Sequence, residues 1–414
     1  MGSIVVLGGG GGVGRVAVEA LAQVDELTEV VVTDVRADVA ADVVAALGDA
    51  RLRAAGVDVS DPAALGALIT GADVVLNCVG PFYRFGPPTL AAAIRAGVGY
   101  VDICDDLDAT RALLGLDGAA REAGITALIG MGNSPGLANI FVKLCADQLL
   151  EEVTSAEIMH IHGGEPSEGA AVLKHRIHAM VNDVPLFVDG ELIEVRMLEE
   201  SGAAFVHTED FPGLGPHPVF PYPHPETITL PTTFPTLRKA TNLGVVYPLP
   251  YFERTQELVR AGMASEDPLT VGDTEVAPID VMVAMLQAER PALLADAGGT
   301  GAGGCLRVVV GGTVDGAEHT YVCSLSSEGA GAGEGTGIPA ALGAVLHRRG
   351  SLVGGPGVHA PEAAVPVDEL LTLAGEVVAK MPIGASGGEG GGIPLTVEHI
   401  GPDGSREIIP MSLG

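Results

Sequence analysis

The sequence predicts an α/β protein. Its expected parts are an N-terminal doubly wound parallel sheet, an inserted mixed α/β second domain, and C-terminal helices that return to the first domain. Three observations predict this. Through residues 1–130, short and almost continuously apolar runs alternate with Ala-rich helical stretches, as parallel strands buried on both faces require. Beyond about residue 150 the pattern changes to alternating strands joined by Asp-Gly turns. After a Gly-rich hinge at 329–337, residues 338–347 and 367–380 read as helices again. The domains are accordingly expected at 1–135, 136–330 and 331–414. The last is a C-terminal segment carrying the return helices and a terminal hairpin around Pro402-Asp403-Gly404.

The first strand, residues 4–7, feeds into Gly8-Gly9-Gly10-Gly11-Gly12-Val13-Gly14, and a helix follows from Arg15. Gly9-x-Gly11-x-x-Gly14 has the spacing of a dinucleotide-binding turn, the Rossmann signature. Gly9, Gly11, Gly12, Val13 and Gly14 are therefore candidate cofactor contacts, with the pyrophosphate at the helix N-terminus. The second strand, 30–33, ends at Asp34, about twenty residues past the last glycine. An acid there accepts from both ribose hydroxyls and repels a 2′-phosphate, which favours NAD. Arg36 beside it keeps NADP open. Further strands read at 74–77, 100–103 and 126–129, with helices at 37–47, 62–69, 89–96 and 108–123. Gly97 and Gly124 stand where helices should stop. Asp58 and Val59 follow a short apolar stretch and are expected beside the adenine.

In the second domain, strands are expected at 157–162, 191–198 and 204–207. Asp189-Gly190 turns 187–188 back into 191–198, and Asp315-Gly316 joins 306–314 to 318–325. Helices are expected at 171–181, 254–261 and 280–287. The wide sheet of this domain is a candidate dimer surface. The acidic glycine stretch 384–392 reads as a flexible loop.

Composition excludes several functions. With 53 acidic against 22 basic residues the net charge is −31, which leaves no basic surface for nucleic acid or an acidic membrane. No apolar stretch reaches the length of a membrane span and no signal peptide is read, so a cytoplasmic protein is expected. The five cysteines are scattered without a C-x-x-C pair, which argues against zinc and against a disulfide framework.

Candidate chemistry starts at the strand ends, where open α/β sheets bind ligands. Cys78, Val79, Gly80 and Pro81 leave the fourth strand, either along the cofactor or as a simple exit turn. Tyr83, between Phe82 and Phe85, either walls a nicotinamide pocket or anchors a loop. Asp102, Asp105 and Asp106 crowd the next strand end. One is expected to cap the following helix, and at least one to act on substrate. Asp102 or Asp106 would shuttle a proton, and Asp105 would hold an ammonium group. Asn133 and Ser134 sit in a strand-to-helix turn whose N–H groups suit a carboxylate. His224 exchanges protons near neutrality and Glu226 suits a cationic amine, or the two sit in an exposed Pro-rich loop. Lys174 and His178 share a helix face and either bind a substrate carboxylate or face solvent. His160 and His162 point the same way from one strand. No third ligand has metal-site spacing, so no metal is expected.

Six segments resemble the saccharopine dehydrogenase family, including its lysine 6-dehydrogenase-like members. They are Val6-Leu7-Gly8 with the glycine run to Gly14-Arg15; Asp73-Val74-Val75-Leu76-Asn77-Cys78-Val79-Gly80-Pro81-Phe82; Ala96-Gly97-Val98-Gly99-Tyr100-Val101-Asp102; Gly132-Asn133-Ser134-Pro135-Gly136-Leu137-Ala138-Asn139; Thr336-Gly337-Ile338-Pro339-Ala340-Ala341; and Gly355-Pro356-Gly357-Val358. The resemblance implies a Rossmann domain, an inserted α/β domain and a closing helix, with the 131–136 turn over the nicotinamide end. It also implies a homodimer through the second-domain sheet and hydride transfer at a carbon–nitrogen bond of an amino acid or related amine. Pro223-His224-Pro225-Glu226 resembles a His-x-Glu stretch of such relatives. The expected reaction is NAD-linked oxidation of an amine to an imine. The alternatives are a biosynthetic imine reductase and a nucleotide-binding regulatory protein without turnover.

Overall fold

A computed structural model describes residues 2–165, 167–297, 303–328, 331–381 and 395–410. The chain begins β1 (Ser3–Leu7), α1 (Gly12–Ala22), β2 (Glu29–Asp34), α2 (Ala37–Leu47), β3 (Leu52–Gly56), α3 (Pro62–Ile69) and β4 (Val74–Asn77). It continues α4 (Phe82–Ala96), β5 (Gly99–Asp102), α5 (Leu107–Leu114), α6 (Asp117–Ala123), β6 (Thr126–Leu128) and α7 (Leu137–Gln148). Then come β7 (Glu152–Gly163), α8 (Ala170–Val181), β8 (Val184–Val188), β9 (Glu191–Val195), α9 (Glu200–Ala203), β10 (His207–Phe211), β11 (Gly215–Pro221) and α10 (Glu226–Thr233). β12 (Lys239–Tyr247), α11 (Leu249–Arg260), β13 (Leu269–Val271), β14 (Thr274–Val276), α12 (Pro278–Asp296), β15 (Gly303–Val314) and β16 (Ala317–Glu328) follow. The chain closes with α13 (Ala332–Arg349), β17 (Gly357–His359), α14 (Pro361–Ala364), α15 (Val367–Val378), β18 (Leu395–Ile400) and β19 (Arg406–Ile409).

Two compact units result: 1–151 with 332–394 and 409–414, and 152–331 with 395–408. In the first, seven parallel strands run in the order β17-β6-β5-β4-β1-β2-β3. Both faces of this sheet are apolar. Ile4, Val6, Val30, Val32, Val74 and Leu76 pack against α1, α2, α13 and α15 on one side. Val5, Leu7, Val31 and Val75 pack against α3, α4 and α5 on the other. Alternate side chains of each strand thus enter different cores, which is why the strands read as continuous apolar runs. Gly97 and Gly124 end α4 and α6 in the left-handed conformation, at φ +66° and +70°.

Several features of the first unit differ from the sequence reading, among them the helix expected at 108–123, which is the pair α5 and α6. The edge strands β3 and β17 are too poorly apolar to register as patterns: only Leu52 of β3 is buried, and β17 sets Val358 between Gly357 and His359. The 329–337 stretch is not a hinge throughout, because α13 already begins at Ala332. Its glycines let it lie directly on α1, where a Cβ at Gly337 would stand 2.6 Å from the Val13 carbonyl oxygen. Finally, the first unit extends to Glu151 rather than 135: Ile140 and Leu144 of α7 lie in its core.

The second unit carries a ten-stranded sheet ordered β10-β11-β12-β7-β15-β16-β18-β19, with β8 and β9 joined through β12. The β7–β12 pair is parallel. The Asp-Gly turns form as read, with φ of +55° and +84° at Asp189 and Gly190 and +52° and +75° at Asp315 and Gly316. Strand 204–207 does not form: that stretch follows α9, and β10 begins only at His207. The terminal strands β18 and β19 extend this second sheet through β16. The expected 384–392 loop lies outside the described residues. Among those residues, no helix is long and apolar enough to cross a membrane.

Candidate active site

In the first unit the strand order reverses between β1 and β4, which places a crevice beyond their carboxyl ends. Gly8 to Gly14 line it. A Cβ on Gly14 would fall on the Gly8 carbonyl, so the turn closes only with glycine there. Gly11 and Gly12 are exposed, Val13 is half-buried, and a Cβ on Gly12 would meet open space. Helix α1 has neither a side-chain cap nor an acid in its first turn. Its free N–H groups and positive dipole end therefore face outward, as a phosphate requires. On one flank, a Cβ on Gly10 would stand 2.7 Å from Asp34 Oδ2, so the acid at the end of β2 lies against the glycine turn. The Arg36 N–H donates to Asp34 Oδ1 at 3.0 Å, and the Arg36 side chain is exposed. Next to β2, Asp58 follows β3, and hydrogen bonds from Ser60 hold its carboxyl below the usual range. Val59 packs inward.

On the other flank Cys78 meets the glycine turn: its carbonyl oxygen would lie 3.0 Å from a Cβ on Gly8. Val79, Gly80 and Pro81 then lead into α4. Behind them runs a buried chain of hydrogen bonds. The Val79 N–H donates to Asn77 Oδ1 (3.0 Å), Asn77 Nδ2 donates to the Tyr100 hydroxyl (3.0 Å), and Tyr100 donates to Asp102 Oδ2 (2.9 Å). Asp102 Oδ1 accepts from the N–H groups of Cys104 (3.0 Å) and Gly130 (2.8 Å). The exits of β4, β5 and β6 are thus fastened together. Burial pushes Asp102 up to about 6, against the hydrogen bonds that hold it down. This carboxylate, read from sequence as a proton shuttle, is fully enclosed and spends both oxygens on the protein. Asp106 stands at the N-cap position of α5 but does not cap it; its Oδ2 accepts from the Tyr83 N–H (3.0 Å) in the first turn of α4. Asp105 is half-buried beside it.

The turn that carries Asn133 and Ser134 closes on itself. The Gly132 N–H donates to the Pro135 oxygen, and the Leu137 N–H donates to the Gly132 oxygen. Helix α13 lies along both loops of the crevice. A Cβ on Gly333 would meet the Gly12 oxygen at 3.4 Å, and one on Gly335 would meet Asn133 at 3.9 Å.

The second unit gathers a polar cluster. The ring of His160 stacks on those of His224 (centroids 5.1 Å apart) and His162 (6.2 Å), and Tyr222 meets His160 and His224 edge-on. His160 Nε2 and Asn242 Oδ1 are 3.1 Å apart, and Asn242 Nδ2 donates to Glu226 Oε1 (3.2 Å). With that amide orientation His160 carries its proton on Nε2. Burial pushes His160 down to about 3 and His224 well below its ordinary value, so both rings are neutral at pH 7. His224 and Glu226 are therefore core groups and not parts of an exposed loop. Lys174 pairs with Asp280 at 2.7 Å, and His178 is half-buried one turn along the same helix. Tyr100, Asn242 and Glu362 escape sequence reading as site residues because partners 23, 16 and 223 residues away set their roles.

A doubly wound sheet with an uncapped glycine-rich turn at its switch point and an acid at the end of β2 defines a nicotinamide-dinucleotide-binding protein. Residues 4–128 match the family model of the saccharopine dehydrogenase NADP binding domain. Over 367 residues, covering 84% of this chain and 89% of the relative, the chain is 24% identical to carboxyaminopropylagmatine dehydrogenase of Synechocystis sp.. It is 28% identical over 292 residues to carboxynorspermidine synthase of Vibrio alginolyticus, covering 65% of this chain and 66% of that protein. Its fold is similar to apo saccharopine dehydrogenase (L-Glu forming) from Saccharomyces cerevisiae, with a TM-score of 0.64 at 17% identity over 99% of this chain and 100% of that one. Residues 4–128 thus form a saccharopine dehydrogenase-type NAD(P)-binding domain, within a chain that is similar over most of its length to a dehydrogenase.

Proposed function

We propose that this protein transfers hydride between NAD and the carbon–nitrogen bond of a carboxylated amine, interconverting the amine and its imine. The observation that carries the cofactor half is Asp34 Oδ2 standing against the glycine turn. An acid at that place accepts from ribose hydroxyls and repels a 2′-phosphate. It argues for NAD even though the matching domain model is described by NADP. The substrate half is supported by the relatives, two of which are named for carboxylated amines. One of them is named a synthase, which supports catalysis in the reductive direction too.

The bound nicotinamide supplies the hydride chemistry. The chain's own residues bind, orient and move a proton. The N–H groups at the start of α1 hold the pyrophosphate, and Asp34 holds the adenosine ribose. In the second unit Glu226 and Asn242 fix the tautomer of His160, and His224 and Glu226 are the candidates there for the proton of the reacting nitrogen. We assign Asp102 and Asp106 to holding the strand exits.

The test is absorbance at 340 nm with NAD or NADP and a panel of diamino acids, polyamines and their carboxyalkyl derivatives. A reductive arm uses aldehyde, amine and NADH. In parallel, D34A should weaken NAD binding by about tenfold or more, the scale of losing hydrogen bonds to a charged group. It should also narrow the preference over NADP. NAD and NADP affinities that are both untouched by D34A overturn the cofactor assignment, and silence across both arms overturns the reaction.

A further inference from the structure

The turn 131–136 leaves β6 next to the exit of β5, on the β4–β5–β6 half of the sheet. Asp34 fixes the adenosine to the opposite half, so a dinucleotide across the switch point brings its second nucleotide to this side.

Gly136 is the tightest point of the turn. Its φ is +123°, and a Cβ there would fall on Gly132. A side chain from the next helix holds it: the Gly136 N–H donates to Asn139 Oδ1 at 2.9 Å. A side-chain amide can face either way, and with its NH₂ group toward Gly136 it would set donor against donor. Glu362 decides the orientation. It is buried on α14, and its Oε2 accepts from Asn139 Nδ2 at 2.8 Å. Because this oxygen accepts, it draws the NH₂ side of Asn139 to itself and turns Oδ1 toward Gly136. Burying a carboxylate is expensive, and an apolar side chain would fill the same place at lower cost but leave the amide unoriented.

We propose, on the dinucleotide reading of the crevice, that Glu362 is a positioning residue for the nicotinamide half of the cofactor: through Asn139 it locks Gly136 and so fixes the turn that carries Asn133 and Ser134. Glu362 touches no cofactor itself. The adenosine half is held by α1 and Asp34 and does not depend on it.

The experiment compares the affinities of the full chain for NADH and for ADP, which probes the adenosine-phosphate half alone. E362L should weaken NADH by about tenfold, the scale of one lost hydrogen bond to a charged group, and leave ADP within about twofold. E362Q, which can still accept from Asn139, should recover most of the NADH affinity. N139A should reproduce the NADH-selective loss, and adding E362L to N139A should cost nothing more. Parallel losses of NADH and ADP in E362L mark a role in domain stability alone and overturn the proposal. So does unchanged NADH binding in N139A, even where E362L does not fold. Failure of the unmodified protein to bind either probe instead overturns the dinucleotide reading on which the proposal rests.

Discussion

Asp102 makes the first unit less stable as the pH rises through about 6. Its carboxyl is raised from 3.8 to about 6 in the folded protein, chiefly by burial. Between those values the folded state holds a proton that the unfolded state has released. Unfolding therefore releases a proton there, and stability falls with rising pH. At about 1.36 kcal/mol per unit, the whole shift corresponds to about 3 kcal/mol, an order-of-magnitude figure. About 2 kcal/mol of this falls between pH 4.5 and 7.5. D102N isolates this contribution from the many other acids. Its amide oxygen still accepts from the Cys104 and Gly130 N–H groups, and it does not titrate. The measurement is urea unfolding followed by far-ultraviolet circular dichroism at several pH values, since the chain has no tryptophan. The stability of the unmodified protein relative to D102N should fall by about 2 kcal/mol from pH 4.5 to 7.5. Parallel pH curves would refute the argument, because the buried carboxyl would then titrate as it does in the unfolded chain.

Two further outcomes are expected from the geometry. G14A drives a Cβ into the Gly8 carbonyl, so the turn must open. NADH binding measured by fluorescence titration should be lost, and the melting temperature should drop by several degrees, as expected for about 1–3 kcal/mol of overpacking. H224Q keeps a polar side chain of similar size but carries no titratable ring. If His224 takes the proton of the reacting nitrogen, kcat falls by about 10²–10⁴ while NADH affinity is kept; an unchanged kcat removes His224 from the mechanism.

The legible parts of the sequence are those set by local physics. Strands buried on both faces must be continuously apolar, so five of the seven strands of the first sheet show as runs. The two that do not are edge strands: β3 has a single buried residue, and in β17 Val358 is the one apolar side chain, between Gly357 and His359. The glycine spacing and the Asp-Gly turns are backbone requirements, written in the residues that meet them. The roles of the acids were not legible. Asp102, Asp105 and Asp106 read alike as a cluster at a strand end, and only the packed structure distinguishes a carboxylate enclosed by N–H donors from one left half-buried.

Buried carboxylates recur in one role in the first unit. Asp102 takes two backbone N–H groups and a tyrosine hydroxyl, Asp106 takes the first turn of a neighbouring helix, and Glu362 takes the side-chain amide that holds Gly136. Each sits where the chain leaves or re-enters the carboxyl edge of the sheet, and that edge is where backbone donors lose their strand partners. An amide or hydroxyl could satisfy one such donor but would bring a donor of its own. An ionised carboxylate offers several acceptor sites and no donor, so it can gather N–H groups from separate loops without leaving one unpaired. The same hydrogen bonds offset part of the desolvation cost, and at Asp102 burial still outweighs them. The crevice edge thus owes its shape to acids that need never touch the substrate. Truncating them should alter cofactor affinity and pH-dependent stability before it alters the chemical step.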